Sequence, residues 1–210
     1  MVNRQKNNGL HEASQEGAAA ASALLAETIG PVERLALVYA PARFRPLWLC
    51  YLALESRLAR TAQGGKEPML AQIKLAWWRE RFETTANEWP SGEPLLAVLT
   101  GWDAERAALS GLVDGWEDRT MGEDGGVRLR SARVEAMLAL SRLSGANDDP
   151  DAVRRATLDW CDGEGEGANA PRLTRAMRPL AILRTVALRA ENASPLGTLL
   201  VALRAGLFGR

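Results

Sequence analysis

Apolar residues at helical spacing are the feature that most limits the folds open to this chain. The clearest case lies within residues 46–63, where the apolar positions recur every three or four residues: Leu47, Tyr51, Leu54 and Leu58. This is the spacing with which one face of an α-helix meets a core. No convincing alternation of apolar and polar side chains, the pattern of a half-buried β-strand, occurs anywhere in the sequence. The pattern therefore predicts an all-α fold.

Glycine and proline divide the rest of the chain into further helical segments. The predicted helices cover residues 13–28, the run from Pro31, residues 46–63, the run from Pro68, the run from Ser91 to Trp116, residues 127–143, the run from Pro150, the run from Pro171 to Leu188 and the run from Pro195 to Phe208. Residues 117–126 and 162–169 are rich in polar residues and glycine, and are predicted to be loops. We expect a bundle of eight or nine helices.

The composition indicates a single domain. The chain has 210 residues, of which 47% are hydrophobic, enough for one sizeable core. Residues 1–12 are predicted to be a flexible lead-in, and residues 13–210 a single helical domain. Basic and acidic residues number 26 each, so no overall field favours a nucleic-acid partner.

The cysteine and histidine content limits which disulfides and metal sites the chain can form. Cys50 and Cys161 lie in apolar, helix-like stretches, which is typical of buried free thiols rather than of a disulfide or a metal site. The single histidine, His11, lies in a polar stretch and is interpreted as a solvated tail residue. A metal site that needs two or more histidines is therefore excluded by count.

The location of the protein is predicted from its apolar segments. None has the length of a signal peptide near the N-terminus or the roughly 20 residues of a membrane span. We expect a cytoplasmic protein, with peripheral contact to the inner membrane as an alternative. The run 195–210, which carries Arg204 and Arg210, is expected to dock against the bundle or to rest on an anionic membrane surface.

Two stretches of the chain carry a family resemblance. The first, LALVYAPARFRPLWLCYLALESRLARTA, spans residues 35–62, and the second, EPMLAQIKLAWWRERF, spans residues 67–82. The matching positions are Pro41, Ala42, Arg45 and Tyr51, followed by Glu67, Pro68, Leu70, Ala71, Ile73, Lys74, Leu75, Trp77, Trp78, Arg79 and Glu80. This pattern resembles the N-terminal core of the squalene/phytoene synthase superfamily. It is most similar to the non-catalytic branch that includes the mitochondrial respiratory complex I assembly factor. The resemblance implies a shortened isoprenoid-synthase-like helical bundle.

The enzymes of this superfamily hold Mg²⁺ through aspartates on two helices, because the departing diphosphate needs its charge neutralised. Aligned from Tyr51, the first set of aspartate positions falls on Leu58, Ala59 and Ala62, which cannot bind a metal. The nearest carboxylate is Glu55. It is interpreted as a surface charge with Arg57 and Arg60 as its partners.

Candidates for the second aspartate motif lie in the C-terminal half: Asp148, Asp149 and Asp151, and then Asp159 and Asp162. The first group precedes or follows Pro150 at a helix start, where acidic residues are typical caps. The second group lies at a predicted helix end. Glu164 and Glu166 are interpreted as part of a solvated linker rather than a calcium loop, and Gly64-Gly65-Lys66 as a helix end rather than a phosphate loop.

Three functions follow from the resemblance and the missing aspartates. The first is a non-catalytic scaffold or assembly factor that binds another protein, with a respiratory complex subunit as the partner the resemblance implies. The second is a prenyltransferase that condenses farnesyl or geranylgeranyl diphosphate, and the third is a lipid- or isoprenoid-binding protein. No cofactor is expected, except Mg²⁺ in the second case. The residues predicted to contact a partner or line a cavity are Tyr51, Glu55, Lys74, Trp77, Trp78, Arg79 and Arg81.

Overall fold

The fold is an all-α bundle, as predicted. A computed structural model describes residues 21–63, 68–122, 125–165 and 170–189, and these residues contain no β-strand. Residues 21–28 are helical (α1). Eight further α-helices follow within the described residues: α2 (Pro31–Val38), α3 (Arg45–Gln63), α4 (Pro68–Glu83), α5 (Pro94–Leu99), α6 (Arg106–Met121), α7 (Val127–Leu143), α8 (Pro150–Asp162) and α9 (Arg178–Ala187). None of these helices is apolar over a stretch long enough to cross a membrane.

The longest helix, α3, lies at the centre of the bundle. It packs against α2, α4, α5 and α6, while α7 packs on α6, α8 on α7, and α9 on both α8 and α2. The side chains of Trp48, Tyr51 and Trp102 are fully buried around α3, and the rings of Tyr51 and Trp102 stack at 6.0 Å. The indole of Trp48 donates a hydrogen bond of 2.9 Å to the carbonyl of Ala176, which ties α3 to the segment before α9.

Helices α6 and α7 approach each other closely, and the approach depends on Gly115. A Cβ atom at this position would lie 2.6 Å from the Cα of Leu129. Only a residue without a side chain therefore allows the two backbones to come so near. The approach brings Trp116 of α6 and the middle of α7 towards α3.

The predicted helix from Ser91 to Trp116 is wrong as a single element. Helix α5 ends at Leu99, a 3₁₀ turn covers Thr100–Glu105, and α6 then begins at Arg106. Two contacts hold the tighter turn: the Trp102 indole donates to the Leu47 carbonyl at 3.2 Å, and the Asp103 carboxylate accepts from the Ala86 amide at 2.9 Å.

The predicted loop over residues 117–126 is also wrong at its start. Helix α6 continues to Met121 and ends only at Gly122, whose φ of 72° closes the helix. The polar residues that suggested a loop instead form ion pairs, since Glu117 binds Arg79 and Asp118 binds Arg128. Paired side chains of this kind let a polar sequence stay helical.

The predicted helix from Pro171 begins later than expected. A 3₁₀ turn covers Arg175–Met177, and α9 starts at Arg178. The reason is Asp148, whose carboxylate accepts hydrogen bonds from the Thr174 amide at 2.6 Å and from its hydroxyl at 2.8 Å. The predictions for residues 1–12, His11, Gly64–Lys66, Glu67, Glu166 and residues 195–210 fall outside the described residues.

Candidate functional site

A buried polar cluster occupies the inner face of α3, where the resemblance directs attention. We call Tyr51, Glu55, Trp116 and Arg133 the Glu55 cluster. The Glu55 side chain accepts from the Tyr51 hydroxyl at 3.2 Å and from the Trp116 indole at 3.0 Å. Arg133 binds both of its oxygens, through Nε at 3.0 Å and Nη2 at 3.1 Å. Three helices, α3, α6 and α7, therefore converge on one carboxylate.

The interpretation of Glu55 as a surface charge is wrong. Glu55 is only 8% exposed, because it follows Tyr51 by four residues and shares its inward face of α3. The expected partners lie elsewhere: Arg57 pairs with Glu93 at 3.1 Å, and Arg60 donates to the Thr28 carbonyl at 2.9 Å. The true partner, Arg133, comes from another helix.

Burial and the Glu55 carboxylate together determine the protonation of Arg133 and Tyr51. Burial opposes the charged form of Arg133, but the Glu55 carboxylate outweighs it and raises the pKa of Arg133 above its usual value. Burial, and then the Glu55 charge, raise the pKa of Tyr51 well above its usual range. The guanidinium of Arg133 also lies over the rings of Trp116 and Trp160, at 5.4 and 5.3 Å. The cluster is therefore an ion pair enclosed by aromatic rings, with Tyr51 protonated.

The hydrogen bonds of Glu55 leave it little capacity for chemistry. A carboxylate offers about four acceptor positions, and four hydrogen bonds from Tyr51, Trp116 and Arg133 use them. A metal ion or a reacting proton would have to displace one of these donors. The geometry is that of a structural ion pair.

The positions on α3 to which the resemblance would assign aspartates hold apolar side chains. Leu58 is fully buried, and Ala59 and Ala62 pack against the same core. The C-terminal aspartates are engaged too: Asp149 caps α8, as predicted, Asp159 binds Arg184 at 2.6 Å, and Asp162 binds Arg130. Across the described ranges, no three His, Cys, Asp or Glu residues lie close enough together to hold a metal ion.

A surface groove runs along α4 and contains three of the predicted partner-contact residues. This α4 groove has a volume of about 520 Å³. Its walls are formed by Arg57, Arg60, Thr61, Ile73, Lys74, Trp77, Trp78 and Glu93. The lining combines three apolar side chains with three cations and one carboxylate, and so suits a ligand that is itself part apolar and part acidic.

The adjacent tryptophans of α4, Trp77 and Trp78, have different environments. Trp78 is 4% exposed and stacks on Phe82 at 5.7 Å, which confirms that at least one of the pair fills the core. Trp77 is half-buried and meets Trp78 edge to face, with ring centroids 5.0 Å apart. Close to Trp77 along α4, Ile73 is 60% exposed and Met69 is 73% exposed. The groove therefore continues into an apolar strip.

The remaining predicted contact residues, Arg79 and Arg81, are engaged within the chain. Arg79 binds Asp114 at 2.7 Å and also binds Glu117, so it ties α4 to α6. Arg81 lies 5.7 Å from the Trp77 ring, and its head group contacts Glu80 at 3.1 Å. Neither lines the α4 groove.

Both cysteines are free thiols. Cys50 is buried and donates to the Val98 carbonyl at 3.0 Å, and burial raises the pKa of its thiol to about 12. Cys161 is half-buried, and burial raises its pKa as well, although nearby Arg133 works against the shift. The prediction of a buried thiol is confirmed for Cys50.

The sequence did not reveal Arg133, Trp116 or Trp160 as members of a site. Each lies on a helix whose apolar pattern is otherwise ordinary. A weak signal was present in Arg133, an arginine of α7 that is flanked on both sides by apolar residues, Ala132 and Val134. Its partner could not be identified because Glu55 is 78 residues away in sequence.

No protein-family model, curated protein or solved structure matches this chain. The resemblance to the squalene/phytoene synthase superfamily therefore stays a prediction that rests on the residues of segments 35–62 and 67–82.

Proposed function

We propose that the protein is a non-catalytic scaffold that binds another protein through the α4 groove. The observation that carries the proposal is the filling of the inner face of α3. Where metal-binding carboxylates are required for prenyl transfer, the chain has the buried Leu58, and the one carboxylate nearby, Glu55, is saturated with hydrogen bonds. Function then depends on surface sites rather than on the fold.

The same packing weighs against the two alternatives. The departure of diphosphate needs Mg²⁺ held by several oxygen ligands. To bind Mg²⁺, Glu55 would have to release Arg133, which would then lack a counter-ion inside the bundle. A lipid-filled interior needs free volume beside α3. That position is occupied by the fully buried Tyr51 and Trp102.

The α4 groove has the chemistry of a protein-binding site. Aromatic residues and arginines are enriched at the energetic centres of protein interfaces, and the half-buried Trp77 lines this groove together with Ile73. The groove is also lined by three cations, of which Arg57 is neutralised by Glu93, while Arg60 and Lys74 have no carboxylate partner within the described residues. The groove therefore suits a segment with a large apolar anchor flanked by acidic residues.

The partner's identity is the finer part of the proposal. The resemblance to the complex I assembly factor suggests a respiratory complex subunit or one of its precursors. Such a partner exposes apolar surface before assembly. An amphipathic acidic segment of that subunit is the occupant we propose.

The test is site-specific photo-crosslinking in cells. A photoreactive residue at Ile73 should trap a discrete partner, and the same residue at the exposed Arg155 of α8 should not. Adding Trp77→Ala or Lys74→Glu to the Ile73 crosslinker should abolish the product. A crosslink that both sites form equally, or that survives these substitutions, would overturn the groove as the binding site.

A parallel assay tests the catalytic alternative directly. The purified protein is incubated with farnesyl or geranylgeranyl diphosphate and Mg²⁺, and diphosphate release is followed. We expect no release above the protein-free rate while the protein is folded by circular dichroism. Mg²⁺-dependent turnover would overturn the scaffold proposal.

A further inference from the structure

A second pocket, at the end of the bundle where α3 and α9 begin, has an unusual charge. It has a volume of about 800 Å³. The α2–α3 connection, the α7–α8 connection and the segment before α9 form its walls. Four arginines line it, Arg43, Arg45, Arg175 and Arg178, and no acidic residue does. We call it the arginine pocket.

The four arginines are not neutralised within the described part of the chain, since none of them forms an ion pair there. Arg45 donates to the Ala40 carbonyl at 3.2 Å, and the Arg43 guanidinium lies over the Phe44 ring at 4.3 Å. The Nε of Arg178 is buried without a hydrogen-bond partner among the described residues. A buried guanidinium donor without an acceptor costs free energy, and a bound anion would remove that cost.

The helix N-termini at this pocket add to its positive charge. Both α3 and α9 begin with an arginine, Arg45 and Arg178, and neither helix has an acidic residue in its first turn. A cation at a helix N-terminus opposes the helix dipole, so acidic residues are the usual choice there. The C-terminal ends of α2 and α7 also reach the pocket, but each helix end carries only about half an elementary charge. Four guanidiniums therefore leave a net positive site.

Asp148 directly follows the lining residue Asn147 in the sequence. Both oxygens of the Asp148 carboxylate are held by Thr174, on the amide and on the hydroxyl. Asp148 therefore fixes one wall of the pocket and makes no hydrogen bond to the arginines.

We propose that the arginine pocket binds a phosphate or diphosphate group of a small phosphoester or of a lipid headgroup. Guanidiniums present paired donors that match the oxygens of a phosphoryl group, and several of them around one cavity are typical of phosphate recognition. The half-buried rings of Tyr39 and Phe44 on the same wall provide an apolar contact for the rest of the ligand. The volume lies in the range of small-molecule sites.

The test uses inorganic pyrophosphate as the first probe, with binding to the full chain measured by calorimetry at constant ionic strength. The double variant Arg43→Gln, Arg175→Gln removes two exposed guanidiniums of the pocket. Its affinity should fall about tenfold or more, because each lost charge-assisted contact weakens binding. The variant Arg155→Gln removes an exposed arginine of α8 outside the pocket and should bind as the unaltered protein does.

A second arm separates the two sources of the phosphoryl group. Phosphatidylcholine vesicles, with and without phosphatidic acid, are sedimented with each protein. Pyrophosphate binding that the pocket variant loses supports a free phosphoester, and sedimentation with phosphatidic acid that the same variant loses supports a lipid headgroup. If neither probe distinguishes the pocket variant from the Arg155→Gln control, the proposal is overturned.

Discussion

Arg133 and the arginines of the arginine pocket differ in almost every physical respect. Arg133 contacts residues of three other helices: it binds both oxygens of Glu55 and lies over the rings of Trp116 and Trp160. The arginines of the arginine pocket lie at a bundle end, line a cavity of about 800 Å³ and have no carboxylate beside them. The chain itself supplies a counter-ion for Arg133, and the described residues supply none for the pocket arginines.

The difference indicates which charges serve the fold and which are available for a ligand. A buried charge without a partner is strongly destabilising, so Arg133 and Glu55 must occur together for the bundle to be stable. Solvent stabilises the more exposed pocket arginines, so their grouping is not required by folding. Four stability measurements follow: the first and the last test this division directly, and the other two test the packing around α3.

The largest expected effect is at Glu55. The change Glu55→Leu leaves the half-buried Arg133 without a counter-ion, and should lower the free energy of unfolding by about 3 kcal/mol. Urea unfolding followed by tryptophan fluorescence measures it. The double variant Glu55→Leu, Arg133→Met removes both charges and should lose less than the single variant. A single variant within about 1 kcal/mol of the unaltered protein would contradict the structural role of the pair.

The next effect concerns how closely α6 and α7 enclose the Glu55 cluster. Gly115→Ala should destabilise the protein by about 1–3 kcal/mol, because the new methyl group meets the Leu129 backbone. Gly111→Ala, in the same helix, meets nothing within 4 Å and should stabilise by about 0.5–1 kcal/mol. Thermal unfolding of the two variants gives the comparison. Equal shifts in the same direction would contradict the close approach.

A smaller effect is expected at alkaline pH. Burial raises the pKa of Cys50 from 9.0 to about 12, so between these values the folded chain keeps a proton that the unfolded chain has lost. Stability should therefore fall as pH rises above 9, by about 1 kcal/mol per pH unit from this thiol. The raised pKa of Tyr51 acts in the same direction. In Cys50→Ala the decline, measured by urea unfolding from pH 8 upwards, should be shallower. If the free energy of unfolding declined with pH equally in both proteins, the Cys50 thiol would not be buried as described.

The smallest expected effect is at the arginine pocket. The double variant Arg43→Gln, Arg175→Gln should change the free energy of unfolding by less than about 0.5 kcal/mol, because both side chains are exposed and unpaired. The same urea unfolding experiment measures it. A loss of stability close to that of Glu55→Leu would show that the pocket arginines, like Arg133, are required for the fold.

The sequence predicted what depends on local spacing. The positions of α3, α4, α7 and α8 follow from apolar periodicity and from proline, and the cap at Asp149 follows from its place before Pro150. Lys74, Trp77 and Trp78 share one helix and line the α4 groove, while their contact with a partner stays a prediction.

What the sequence could not predict depends on contacts between distant segments. Glu55 seemed exposed because its donors come from Trp116 and Arg133, 61 and 78 residues away. The arginine pocket is similar, since Arg43 and Arg45 meet Arg175 and Arg178 only after the bundle closes. The break between α5 and α6 depends on Asp103 and Trp102 binding other segments, which no local propensity records.

The hydrogen bond from Trp48 to Ala176 has a consequence for the order in which the chain assembles. The donor and acceptor are separated by 128 residues, so the indole of α3 has no native acceptor until the segment before α9 has been synthesised. The α6–α7 pair can form from neighbouring sequence, whereas closure of α9 onto α2 brings distant parts of the chain together and is intrinsically slower. During translation, part of the surface of α3 therefore stays exposed until α9 has been synthesised and has packed against the bundle.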